Sequence, residues 1–440
     1  MPERNIEHNK YGRGIVKQSR NKGFELEVLF NNGVKRWIRL DEINEIGQAT
    51  PFISDSTSPR ITSISRDSLK YRRMIEAFRL GIVPYDCVQD ITFGRETEAE
   101  KISEWLNCSN ENTLLIVGNY GTGKTHLLQY TYANALKNGF AVAFVEMDPE
   151  ETPFHKPKRV YRRLIQNFRY RPMQGMNIEG FRSFLKRALN FGIFKDHIYF
   201  KCLIDKTSDE SIWDWIEAQE AIAKPWDPYK MNYFALPGLY DYSTTANIYC
   251  YLISSLGWAT TEALGCRGLV LIFDEAETVG MGYATYRAES GKNFLKALIR
   301  VANNDETLLS LFRRSGLEYT TMGAKGIRAK TPFLYRTPSN LKLLLAFTPI
   351  NALSAIEELK SSRKILLEAL GNKAIIDVFE HICELYKETY NFTEKDLQNR
   401  YIFDRVTTES GRTRLFVKGS VEALDLFRLS RGKGLDGGLK

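Results

Sequence analysis

Long apolar runs are missing from this sequence. None approaches the roughly 18 uninterrupted apolar residues that a membrane-crossing helix requires, and the opening MPERNIEHNKYGRG is polar where a secretion signal would be apolar. The expectation is a cytoplasmic chain with no membrane association. Cysteine is scarce as well: Cys87, Cys108, Cys202, Cys250, Cys266 and Cys383 stand apart with no CxxC pair, which argues against a zinc ribbon and against a disulfide framework. Charge of one sign does not dominate either. Lys and Arg number 61 against 53 Asp and Glu, a net charge of +8, so any attraction to nucleic acid has to come from how the charge is distributed. Internal repeats are absent, and a hydrophobic content of 43% with 26% charged residues excludes the disordered class.

What is present is enough chain for two or three domains, since 440 residues exceed one ordinary core. Residues 1–48 carry short alternating runs, YGRGIVKQ and FELEVLFNNGVKRWIRL, which read as a small antiparallel β module. Asn32-Gly33 predicts a two-residue hairpin turn, and Gly12 and Gly14 fit a bend in the strand before it. Residues 49–67, rich in Ser, Thr and Pro, read as a linker. Residues 68–370 alternate helical and continuously apolar segments. LKYRRMIEAFRLGIVP puts Leu69, Met74, Ile75 and Phe78 on one predicted helix face; ETEAEKISEWL follows, then the strand TLLIVG, the helix KTHLLQYTYANALKNG closed by Gly139, and the strand FAVAFVEMD. A strand, helix, strand order of this kind predicts an α/β fold with a parallel sheet. Residues of about 153–262 read as a helical insertion, GLVLIF and LKLLLAF as two more buried strands, and residues 371–440 as a C-terminal helical lid.

The strongest chemical signal is Gly118-Asn119-Tyr120-Gly121-Thr122-Gly123-Lys124-Thr125, a complete phosphate-binding P-loop between a predicted strand and a predicted helix, with His126 next in the helix. Glycines allow backbone N–H groups to turn toward phosphates, and the helix start points its positive dipole end at them. Lys124 is then expected on the β- and γ-phosphates of ATP and the Thr125 hydroxyl on Mg²⁺. GLVLIFDEAE ends a buried strand in Asp274, the second acid that a P-loop needs for the metal, and Glu275 follows where a general base can polarise water. Glu277 reads either as a supporting group or as an exposed one. Thr348 closes the next strand, where a polar side chain can touch the γ-phosphate or the attacking water; the alternative is a threonine that merely ends a strand before Pro349. The later strands carry no NKxD-like guanine motif, so ATP is expected rather than GTP.

Gly94-Arg95-Glu96 ahead of ETEAEKISEWL, the P-loop, DEAE and the strand ending at Thr348 resemble the AAA+ relatives of origin-recognition and signalling ATPases. More narrowly, RRMIEAFRLGIVP, FGRETEAE, GNYGTGKTHLL and FAVAFVEMDPEETPFHKPKRVYRRLI resemble the ATP-binding proteins of bacterial BREX phage-defence systems, the BrxD-like family, with a likeness that spans roughly residues 70–430. The resemblance implies an AAA+ P-loop core, ATP and Mg²⁺ as cofactors, hydrolysis coupled to DNA or to protein partners of a defence system, and a lid arginine on the phosphates. GRTRLFVKGSVEALDLF resembles that lid helix, with Arg414 the preferred residue and Arg412 next. A homo-oligomer is compatible with this pattern, though no trans-acting arginine stands out among Arg313, Arg314, Arg328 and Arg336. The N-terminal module resembles the small Tudor-like barrels of UvrD-type helicases and CarD-type proteins through HNKYGRGIV and VLFNNGVKRWIRLDEI, which implies binding of protein or nucleic acid. Trp37 with Lys35, Arg36 and Arg39 forms either a basic aromatic surface or, for Trp37, a core anchor.

HKPKRVYRRLIQNFRYR, from His155 to Arg171, holds seven Lys or Arg and no acid. Helical spacing sends Val160, Leu164, Ile165 and Phe168 inward and Arg159, Arg162, Arg163 and Arg169 outward, so the segment is either a DNA-phosphate contact or a solvated amphipathic helix. Tyr161 and Tyr170 are its only candidates for base stacking. Two functions of different class follow: an ATPase that drives or switches a DNA-associated complex, and an interaction platform ordered by ATP with little turnover. A kinase acting on a small molecule lacks an acceptor site.

Overall fold

The computed structural model describes residues 5–8, 12–20, 25–31, 33–39, 43–45, 66–82, 87–173, 177–219, 236–239, 246–280, 285–310, 320–322, 328–330, 334–349, 356–390, 402–407 and 413–429. Asn32, Arg313, Arg314, Arg412 and nearly all of 49–67 fall outside this set. The chain divides into two units, Met1–Ile64 and Ser65–Lys440.

In the first unit, alternating polarity produces five antiparallel strands: β1 (Asn5–His8), β2 (Gly12–Arg20), β3 (Glu25–Phe30), β4 (Lys35–Arg39) and β5 (Ile43–Glu45), ordered β4-β3-β2-β1-β5. Leu26, Val28, Phe30 and Ile38 share one face and form its core. Trp37 pairs across to Glu27, one residue out of phase with Ile38. The pleat therefore sends it to the opposite face, where it is 38% exposed; of the two readings of Trp37, the surface one holds. The β3–β4 turn is longer than the sequence suggested. Phe30 N–H donates to Val34 O at 3.0 Å and Gly33 N–H to Phe30 O at 2.9 Å. Together they close a three-residue loop with Gly33 at φ +79°, the left-handed position that such loops reserve for glycine.

The second unit begins with α1 (Arg66–Leu80), a 3-10 turn at Val88–Ile91, α2 (Glu96–Asn107), β6 (Thr113–Gly118), α3 (Lys124–Lys137), β7 (Ala141–Glu146) and α4 (Pro157–Gln166). It continues through β8 (Phe168–Tyr170), β9 (Glu179–Gly180), α5 (Phe181–Asn190), α6 (Glu210–Ile216), α7 (Ala246–Leu264) and β10 (Leu269–Asp274). After these come α8 (Thr285–Ala302), α9 (Thr307–Ser310), β11 (Thr320–Met322), β12 (Arg328–Lys330), β13 (Leu341–Phe347), α10 (Glu357–Ser361) and β14 (Arg363–Leu367). Three helices finish it: α11 (Asn372–Tyr390), α12 at 402–407 and α13 (Thr413–Leu429).

Seven strands form its main sheet in the order β14-β6-β13-β10-β7-β8-β9. The first five are parallel, and β8 and β9 add on antiparallel. Because helices cover both faces, the inner parallel strands β6, β13, β10 and β7 are apolar at nearly every position, while the edge strand β14 carries Arg363 and Lys364. Leu114, Ile116, Val142, Val270, Ile272 and Leu344 pack toward α2 and α3. Their neighbours Leu115, Val117, Ala143, Leu271, Phe273 and Leu345 pack toward α4, α5, α7 and α8. A third core joins α1, α11, α12 and α13. In α1 its stripe is Tyr71, Met74, Ile75 and Phe78. Leu69 was expected on this face but is 51% exposed, since it lies two residues before Tyr71 and points off an i, i+3, i+4, i+7 stripe.

The chain between β7 and β10 is held partly by polar groups. His197 is fully buried, its ring stacked on Tyr251 with centroids 4.3 Å apart. Its Nδ1 accepts the N–H groups of Tyr199 and Phe200 at 3.1 and 3.0 Å. The proton therefore sits on Nε2 and goes to Ser255 Oγ, 2.9 Å away on α7. Burial, with Arg336 adding to it, pushes this imidazole down to about 3. As pH falls the unfolded chain takes up the proton first, so stability is intact above about 6.5 and is eroded between there and about 3. From this ring the wild type is expected to lose about 2 kcal/mol of unfolding free energy between pH 7.5 and pH 5. His197→Asn, which does not titrate, should lack that share of the loss; urea denaturation at the two pH values measures it.

Candidate functional site

Five parallel strands end along one edge of the sheet, and the turns that leave them carry the polar residues. β6 ends at Gly118, the chain loops through Asn119–Gly123, and α3 starts at Lys124. Gly123 sits at φ +98°, a conformation that other residues adopt only with strain. A Cβ on Gly118 would lie 2.7 Å from both Leu367 O and Thr122 Oγ1, so only glycine lets the loop approach β14 this closely. The loop is pinned from within by Thr122, whose Oγ1 donates to Asn119 O at 2.8 Å. Lys124 is buried, with Nζ donating to Gly118 O at 2.9 Å and Asn119 O at 3.3 Å. Burial lowers its pKa from the ordinary lysine value, while Glu277, Asp274 and Glu275 pull it back up. Tyr120, inside the loop, is exposed.

β13 lies between β6 and β10, so the acids at the end of β10 stand two strands from the loop. Asp274 is buried, and Thr125 Oγ1 donates to its Oδ2 at 2.7 Å. Asp274 Oδ1 accepts the Glu275 N–H at 3.0 Å. Burial raises the Asp274 carboxyl above its usual range, and those two donors oppose the rise. Glu275 is exposed and has φ +52°, one of five non-glycine residues with positive φ among those described. Reduced hydration and the nearby Asp274, Glu146 and Glu277 carboxylates raise its pKa. Thr348, just past β13, donates to Glu277 Oε1 at 2.6 Å.

Among the expected site residues, the structure thus brings together the loop from Gly118 to Thr125, Asp274 and Glu275, and it sets Thr348 on Glu277. A hydroxyl and a carboxylate oxygen side by side are the hard donors that magnesium takes from proteins, phosphates and water completing its shell, so Thr125 and Asp274 fit that ion. His126 turns elsewhere: its Nε2 lies 2.9 Å from Thr92 Oγ1, whose own proton goes to Val88 O at 2.6 Å. The imidazole is therefore the donor, and burial together with Arg95 holds its pKa near 4. Arg414 is exposed on α13 beside Gly81 and makes no hydrogen bond to the loop among the described residues. Arg336 stacks its guanidinium on Trp258, 5.0 Å from the ring centroid. In the basic segment, Val160, Leu164, Ile165 and Phe168 are buried as expected and Arg162, Arg163 and Arg169 are half-buried. Tyr161 and Tyr170 are fully buried, which removes the stacking rings that the sequence offered for single strands.

Two residues, Glu146 and Arg95, were not assigned to the site from the sequence, and a third, Glu277, was left open between a supporting and an exposed role. Glu146 ends β7 directly across from Asp274; its signal is the one that revealed Asp274, an acid closing a buried strand. Glu277 is buried. Arg95, 7% exposed, has Nη2 on Thr122 O at 2.8 Å and Glu368 O at 2.7 Å, and Nη1 on Glu98 Oε1 at 3.0 Å. It ties the phosphate loop to the turn after β14, and nothing local in the sequence separates such an arginine from a solvated one.

A parallel sheet ordered β14-β6-β13-β10-β7, with the glycine loop after β6 and the acid pair two strands away on β10, defines an α/β P-loop nucleotide-binding fold of the AAA+ type. Residues 67–177 match the family model of the BREX system ATP-binding protein BrxC/D, the family that the sequence resembles. Among solved structures the chain is similar to a DNA replication initiation factor at 12% identity and TM-score 0.34, covering 79% of this chain and 66% of that one. It is likewise similar to AMPPCP-bound DnaA from Aquifex aeolicus at 13% identity and TM-score 0.33, covering 78% and 64%. The chain thus spans just under two thirds of the length of these structures. No curated protein matches it.

Removing Arg95 leaves two backbone carbonyls, that of Thr122 buried, and a carboxylate without their donor. Arg95→Met is expected to cost about 2–4 kcal/mol of stability, read by urea denaturation, and to weaken ATP binding in calorimetry. Arg95→Lys should recover little of either, because one ammonium does not reproduce the fork.

Proposed function

We propose that this chain binds ATP with Mg²⁺ at the Gly118–Thr125 loop and hydrolyses it, using turnover to drive or switch a DNA-associated complex in bacterial anti-phage defence. Loop N–H groups and the start of α3 receive the phosphates, and the Lys124 ammonium exchanges its loop carbonyls for phosphate oxygens. Thr125 and Asp274 would hold the magnesium, which supplies neutralisation of charge on the phosphates. Glu275 takes the proton of the attacking water, and its raised pKa brings it closer to working pH, where a base is most effective.

The observation that carries hydrolysis over mere binding is the backbone at Glu275. A non-glycine residue at φ +52° bears strain of roughly 1–2 kcal/mol, and such strain concentrates where a side chain has to be held for chemistry. The DNA reading rests on the acid-free basic segment around α4. With its tyrosines buried, that segment favours phosphate contacts, which are insensitive to sequence and sensitive to salt.

Steady-state hydrolysis tests this reading. Glu275→Gln should lower turnover by about 100-fold or more with ATP affinity kept, while Lys124→Ala should weaken ATP binding by roughly 10- to 100-fold and abolish turnover. Duplex DNA should raise wild-type turnover at low salt and less so at physiological salt. Tight ATP binding with no turnover under any condition would replace this reading with the ATP-ordered platform.

A further inference from the structure

Glu277 lies beside the acids of β10 and takes no proton in the hydrolysis proposed above. It follows the acid pair on the 3-10 turn Ala276–Gly280 and is only 8% exposed. Its Oε1 accepts the Thr348 hydroxyl at 2.6 Å, and its Oε2 is buried without a hydrogen-bond partner. Among the carboxylates acting on Lys124 it exerts the largest pull. Glu277 is thus hydrogen-bonded to the threonine just past β13, the strand lying between β6 and β10, and acts on the lysine of the phosphate loop through its charge.

A threonine hydroxyl has one proton and two lone pairs, and an ionised carboxylate only accepts. With the Thr348 proton committed to Glu277, what remains on Thr348 Oγ1 is acceptor capacity alone. Phosphate oxygens are acceptors too and gain nothing from such an atom, whereas water brings protons. The geometry points to Glu277 as a positioning residue that turns Thr348 into an acceptor for the attacking water, so that Thr348 orients water for Glu275 and does not donate to the γ-phosphate. This rests on the hydrolysis reading above. No covalent step is added: the water proton still leaves to Glu275, and Thr348 and Glu277 exchange none.

Four variants separate this from a merely structural contact: Thr348→Val, Thr348→Ser, Glu277→Leu and the double Thr348→Val/Glu277→Leu. Single-turnover hydrolysis and calorimetric affinities for Mg·ATP and Mg·ADP are measured on the full chain, with thermal unfolding to select folded variants. Thr348→Val remains informative should Glu277→Leu not fold. Turnover is expected to fall about 10- to 100-fold in Thr348→Val and Glu277→Leu, to stay within roughly 3-fold of wild type in Thr348→Ser, and to fall no further in the double variant. The ratio of ATP to ADP affinity should stay within about 3-fold of wild type throughout. A fall in that ratio of about 10-fold or more in Thr348→Val would make Thr348 a phosphate donor and overturn the assignment, as would losses that multiply in the double variant. Variants that turn over like the wild type remove this assignment alone; a wild type that binds ATP and never hydrolyses it removes the hydrolysis reading and this assignment with it.

Discussion

A lysine ammonium buried at the carboxyl edge of a parallel sheet needs oxygen atoms around it, and the second unit is organised around meeting that need for Lys124. Two loop carbonyls serve it directly, at 2.9 and 3.3 Å. Three carboxylates from the end of β10 and the turn after it oppose the cost of its burial. The arrangement is reciprocal, since those carboxylates stand close enough to raise one another: Glu275 feels Asp274, Glu146 and Glu277 together. Acids crowded in this way favour cations and proton acceptance.

Holding the loop in register with the acids is a problem of sheet order. Because β13 separates β6 from β10, the loop and the acid pair stand about two strand spacings apart, roughly 9–10 Å. The side chains of Thr125 and Asp274 nonetheless meet at 2.7 Å. The space over β13 belongs to Thr348 and its partner Glu277. Arg95 braces the far side, joining the Thr122 carbonyl to the turn after β14. The loop is thus anchored by Arg95 and the intervening threonine by Glu277, charged groups from other elements, while Asp274 is held by the Thr125 hydroxyl.

The chain between β7 and β10 is built on different terms. It packs aromatic side chains onto the β7 side of the sheet, with Phe168, Phe181, Phe184 and Phe194 all buried. Its polar interior is settled by a neutral imidazole, His197, whose two nitrogens are both engaged. The basic helix α4 is part of this packing: its apolar stripe and Tyr161 go inward, and its arginines lie at the boundary with solvent.

Much of the candidate site was readable one residue at a time. The P-loop spacing, the apolar strand ending in Asp274-Glu275 and the strand ending at Thr348 are local patterns, and local backbone chemistry dictates them: glycine where φ must be positive, continuous apolar residues where both faces of a strand are covered. Other features have no local sign. Whether Trp37 faced core or solvent depended on its phase relative to Ile38 in the paired strand. Leu69 lies off the stripe of Tyr71, Met74, Ile75 and Phe78 that packs into the third core, and which stripe is used is set by the helices it meets. Tyr161, Tyr170 and Arg95 look like surface residues to any window of sequence, and Glu277 stayed open between a supporting and an exposed role. The sequence by itself determined the α/β class, the glycine-rich loop between β6 and α3 and the acids that close β10, because those follow from neighbours in the chain. Only the tertiary structure decided which polar groups are buried against one another, because burial and hydrogen-bond partners are set by residues far away in sequence, as Arg95 and Glu368 are.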